Sequence, residues 1–146
     1  MVKESLELMR DIFVAGWNRG NTSQRKPVIM DITSIDPGRG KRFDLNNSDA
    51  VFLYETAHNE EQPDIFYDFV NTRINVTVDI RTVRGRDQLM EMEDEIRRII
   101  HTQRLGDGQN FDRLLYKTRT DLSDRTKQLH RMTFQVEIVI LSELVA

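Results

Sequence analysis

The chain has no cysteine and only three prolines in 146 residues. Without cysteine it forms no disulfide and binds no metal through thiolates, so its stability must come from a packed core. Periplasmic and extracellular settings lose one supporting argument for the same reason. Long apolar runs are also missing, and none approaches the ~20 residues of a membrane-spanning helix. The first residues, Met1 to Phe13, lack an apolar stretch and a small-residue cleavage site, so a secretory signal is not expected there. Neither sign of charge dominates: 21 Lys and Arg stand against 24 Asp and Glu, for a formal net charge of −3. Up to Arg73 there are nine bases and twelve acids, and beyond it twelve of each. Neither half reads as a basic nucleic-acid-binding module.

What is present is ordinary globular composition, 38% hydrophobic and 31% charged. The length fits a single domain over residues 1–146. A chain of this size can bury about 68–70% of the surface its unfolded form exposes.

Hydrophobic periodicity divides the chain into seven elements. Leu6, Met9, Phe13 and Trp17 recur at helical spacing, widened by Leu8 and Ile12, and Gly20-Asn21 is expected to stop this first helix. Val28 to Thr33 reads as a short strand, followed by a turn at Asp36-Pro37-Gly38. Ala50 to Tyr54 reads as the second strand and His58 to Asp64 as an acidic loop. The third strand alternates cleanly. Val70, Ile74, Val76, Val78 and Ile80 share one face, and Asn71, Arg73, Asn75, Thr77, Asp79 and Arg81 the other. Such a period of two with one polar face predicts an antiparallel sheet packed on one side only.

A second helix is expected from about Asp87 to Arg104. It carries Leu89, Met92, Ile96 and Ile99 on one stripe, and its acids precede its bases as the helix dipole prefers. Glu93–Arg97 and Asp94–Arg98 are four-apart pairs in the favourable orientation. Phe111 to Thr120 and the alternating run Met132, Phe134, Val136, Ile138 and Ile140 complete the pattern. The expected fold is α+β: a five-stranded, mainly antiparallel sheet with two helices packed on one face, in the order α-β-β-β-α-β-β.

Catalytic chemistry finds little support in the residues. His58, His101 and His130 lie in three separate elements, and none has a second ligand at metal spacing; His58-Asn59-Glu60-Glu61 comes nearest. Gly38-Arg39-Gly40 lacks the flanking strand and helix of a phosphate cradle. No nucleophile elbow is present. The paired carboxylates Glu60-Glu61 and Asp121/Asp124 are expected in loops. The expectation is a chain with no catalytic residues, no metal and no cofactor.

Arginine is the unusual feature, with 16 Arg to 5 Lys. Arginine makes planar, bidentate contacts and is enriched at interfaces, where lysine is depleted. The arginines are interleaved with acids at Arg84-Gly85-Arg86-Asp87, Asp112-Arg113, Arg119-Thr120-Asp121 and Asp124-Arg125, which suits either solvated faces or subunit contacts. A sheet with one polar face also leaves two edges, and edges invite pairing. The expected long loops, 34–49 and 55–69, are the kind that partners order. The candidate subunit or partner interface is therefore Arg39, Lys41, Arg42, Glu60, Glu61, Arg84, Arg86, Asp121, Asp124 and Arg125. Thr77, Asp79, Gln135 and Glu137 form a candidate lumen-lining or neighbour-facing sheet surface.

The order α-β-β-β-α-β-β resembles that of the tail-terminator (tail-completion, or neck) proteins of long-tailed bacteriophages. The resemblance rests on the stretch Val76 to Thr82, the helix after it, Leu114-Leu115-Tyr116, Asp121 to Arg125, and the strand Arg131 to Ile138. It implies a non-enzymatic virion protein, assembled in the host cytoplasm, that forms a ring, commonly hexameric, on the last ring of the tail tube. The ring ends tube growth and receives the head connector, and DNA passes through its lumen without specific binding. The implied partners are further copies of the chain, the tail-tube protein and the connector, with no membrane. Two other classes stay open: a small metal-dependent hydrolase or nuclease using loop carboxylates, and an α+β regulatory binding domain.

Overall fold

The computed structural model describes residues 5–17, 27–31, 49–61, 69–106, 111–124, 126 and 128–143. The elements are α1 (Ser5–Gly16), β1 (Val28–Asp31), β2 (Ala50–Glu61), β3 (Phe69–Thr82), α2 (Arg86–Thr102), β4 (Arg113–Asp121) and β5 (His130–Glu143). The class is α+β and the order is the one expected. One sheet holds all five strands in the spatial order β1-β2-β3-β5-β4. Only the β1–β2 pair is parallel.

Both helices lie on one face. Leu6, Met9, Phe13 and Trp17 of the first helical stripe are buried, together with Leu89, Met92, Ile96, Ile99 and Ile100 of the second. They pack on Val51, Leu53, Val76, Val78, Ile80, Phe134, Val136 and Ile138, in one continuous apolar cluster. Burying each such side chain contributes roughly 1.5–3 kcal/mol, which anchors the register of β3 against β5. The helices approach closely at Gly16, where a Cβ would stand 3.2 Å from Ile99 Cγ1. Arg98 locks that approach by donating to the Gly16 carbonyl and to Glu95. The expected Asp94–Arg98 pair gives way to this tertiary arrangement, because a buried Glu95 and an orphan helix-end carbonyl need the donor more than exposed Asp94 does.

Past α2 the chain turns at Gly106, whose φ is +76° and whose Cβ position is 2.2 Å from the Phe111 carbonyl oxygen. Only glycine fits there. The expected stop at Gly20-Asn21 and the turn at Asp36-Pro37-Gly38 lie outside the described residues, as do Ile32 and Thr33.

Several expectations require correction. The acidic loop from His58 is strand as far as Glu61. β2 stays paired with β3 down to Glu61–Asn71, with one irregularity between Glu55 and Ala57. Backbone ladder bonds are indifferent to side-chain polarity, so a polar run becomes strand where a long partner lies alongside. The same extension shortens the expected loop 55–69. At the other end of the sheet, Asp121 is not part of a connecting loop but the last residue of β4, opposite Met132. Phe111, expected to open the fourth strand, instead fills the core just before it.

Candidate assembly surface

Thr77, Asp79, Gln135 and Glu137 share the sheet face that the helices leave uncovered, in neighbouring rows of the β3–β5 ladder. The alternation of β3 and β5 puts them there. Three of them are nevertheless buried: Asp79 at 0%, Thr77 at 3% and Glu137 at 7% exposure. Arginines account for part of this. Arg81 and Arg131 both reach the Asp79 carboxylate, at 2.9 and 2.8 Å, and Arg131 also donates to it through Nε. The Arg81 guanidinium lies 5.0 Å from the centre of the Phe52 ring. A buried carboxylate is tolerated when it is doubly hydrogen-bonded and neutralised in this way. Gln135 donates to the Thr77 hydroxyl at 2.8 Å. Glu137 holds Arg73 at 3.3 Å and Lys117 at 3.9 Å.

A second group gathers at the end of the sheet where α2 begins. Arg86, the first residue of α2, meets Asp121 at 2.7 Å. The Ser123 hydroxyl, the Arg86 guanidinium and the Ser123 backbone N–H hold the Asp121 carboxyl down to about 2, from an ordinary 3.8. Asp124 accepts from the Thr126 N–H and hydroxyl, and its backbone bridges Leu129. Arg84 stands 3.9 Å from Asp49. Between the 83–85 turn and the β4–β5 connection lies a cleft of about 360 Å³, lined in part by Arg84, Ser123, Asp124 and His130. Thus Arg84, Arg86, Asp121 and Asp124 do come together. Glu60 and Glu61 sit at the opposite end of β2, while Arg39, Lys41, Arg42 and Arg125 lie outside the described residues.

Several organising residues escaped the sequence reading. Asp49, fully buried, accepts from Thr82 at 2.6 Å and from Gln88 at 2.8 Å, tying the start of β2 to the end of β3 and to α2. In the sequence it looks like one more turn residue. Glu93, 1% exposed, joins α2 to β4 by accepting from both Arg97 and Arg119. The four-apart spacing announced Arg97. Arg119 is distant in sequence and nothing local signals it. Among the described residues no group of three or more ligating side chains is placed to hold a metal. His58 instead faces Glu55 at 3.4 Å.

Comparison of the chain with protein-family models and with curated proteins finds no match.

Proposed function

We propose that this chain is a structural subunit of a phage tail: a tail-terminator ring, commonly hexameric, at the head-proximal end of the tail tube. The ring ends tube growth and joins the tail to the head connector, and DNA passes through its lumen. The observation that carries the reading is the order α-β-β-β-α-β-β, on which the resemblance rests, built as a sheet with both described helices on one face. The polarity of the other face adds support. Asp79 and Glu137 each engage two cations, which reduces what those cations offer to a passing phosphate chain. Sheet edges and polar connections supply the different patches that a heterologous ring contact requires.

The test mixes the purified protein with tail-tube protein and measures tube length by electron microscopy, alongside mass in solution. Tubes capped at a defined length support the reading. Tubes that grow without limit at any ratio of the two proteins overturn it. A thermal-shift scan with Mg²⁺, Mn²⁺ and Zn²⁺ separates it from the hydrolase reading, because a specific metal site raises the melting temperature.

A further inference from the structure

The two flanks of the sheet differ in charge. On one side, the described residues of β1 pair with β2 at Ala50–Leu53, and β2 continues from Glu55 to Glu61. That extension carries glutamates at 55, 60 and 61 and no lysine or arginine. Glu55, Thr56 and His58 are exposed. On the other side, β4 carries Arg113, Lys117 and Arg119 against the single acid Asp121. All four residues are exposed. Among the described residues the outer side of β4 receives one backbone contact, from the Leu114 N–H to the Arg104 carbonyl at 3.2 Å. Leu105 and Leu122, 75% and 43% exposed, flank the strand.

The register places these charges at matching heights. Reading across the ladder, Asn59 pairs with Arg73, Arg73 with Val139, and Val139 with Arg113. Arg113 therefore stands level with Asn59, beside Glu60 and Glu61. Further along the ladder, Glu55 pairs with Val76, Val76 with Val136, and Val136 with Tyr116, so Lys117 stands beside the level of Glu55. Three antiparallel pairings separate the two flanks, which makes β4 antiparallel to β2.

We propose that the basic β4 flank of one copy docks on the acidic β2 extension, Glu55–Glu61, of a second copy. The inference rests on the ring reading and names its subunit contact. Charge selects this pairing over the symmetric alternatives, since β4 on β4 opposes bases and β2 on β2 opposes acids. A contact between two different patches is heterologous and repeats from copy to copy. Arg113, for which no ion pair is seen among the described residues, is set against the Glu55–Glu61 extension of the neighbour; Lys117 and exposed Leu105 flank the contact.

Two variants test this: Arg113→Glu with Lys117→Glu, and Glu60→Lys with Glu61→Lys. Each is first checked for a parental melting curve. Each alone should assemble at least about tenfold more weakly than the parent by sedimentation at low salt, because every contact becomes like-charged. Mixed in equal amounts they should assemble again, alternating around the ring, and the four substitutions in one chain should also restore assembly. Carbodiimide cross-linking of mixed ¹⁴N and ¹⁵N parent should yield inter-copy links from Lys117 to acids within 55–61. Variants that assemble like the parent, or a mixture that rescues nothing, overturn the flank contact. Parent that caps tubes while giving no such cross-link overturns it too and leaves the tail-terminator reading intact. Parent that shows the cross-links but leaves tubes uncapped supports the contact and removes that reading.

Discussion

The two faces of the sheet are made by the same strands and solve burial in different ways. On the covered face, Val76, Val78, Ile80, Phe134, Val136 and Ile138 are excluded from water by packing alone. On the other face, Thr77 and Asp79 are just as deeply buried, yet they are polar and are held by hydrogen bonds and guanidinium groups. The first kind of burial is non-directional and scales with area. The second depends on partners and fails when one is removed. The difference teaches that alternation identifies which residues share a face but not which face is dry.

The comparison can be broken most severely on the covered side. Ile138→Asp puts an unpaired charge into the apolar cluster and should cost about 3–5 kcal/mol, lowering the melting temperature by about 10 °C or more. A melting curve like the parent's would remove Ile138 from the core. Asp79→Ala, on the open side, should cost about 1–3 kcal/mol by leaving Arg81 and Arg131 side by side without their carboxylate. Denaturant unfolding measures it. A neutral result would mean that the two guanidinium groups turn to solvent at no cost. Arg73→Ala with Lys117→Ala removes the two half-exposed partners of Glu137 and should cost less than about 1 kcal/mol, a difference that shrinks in high salt.

The smallest effect sharpens the contrast with the solvated end of the sheet. Asp121 is held at about 2 against an ordinary 3.8, so the folded state takes up its proton less readily than the unfolded chain. Its contribution is complete above about pH 3.8 and disappears as pH falls through about 2. Because the pair is solvated, that contribution stays under about 1 kcal/mol. An NMR titration of Asp121 should show the low value in the parent and a rise toward 3.8 in Arg86→Ala. An unchanged value would assign the shift to Ser123 alone.

Much of the fold was legible. The helical stripes, the alternation of β3 and β5, the element order and the one-sided core all follow from periodicity, because burial imposes a period of 3.6 on a helix and 2 on a strand. The placement of Thr77, Asp79, Gln135 and Glu137 on one face followed from the same rule. The strand character of 58–61 was hidden, because polar residues on both faces leave no periodic signal and only the presence of β3 alongside makes them strand. The roles of Asp49, Glu93 and Arg119 were hidden because their partners are far away in sequence.

The amino-acid sequence alone determined the class, the order of elements and the residues of the apolar core, all of which depend on local pattern and composition. Tertiary structure alone decided the spatial order β1-β2-β3-β5-β4, the parallel pairing of β1, the pairing of buried carboxylates with distant arginines, and the matching heights of acid and base on the two flanks. Those depend on which strands lie side by side, a choice made by long-range packing that no short stretch of sequence encodes.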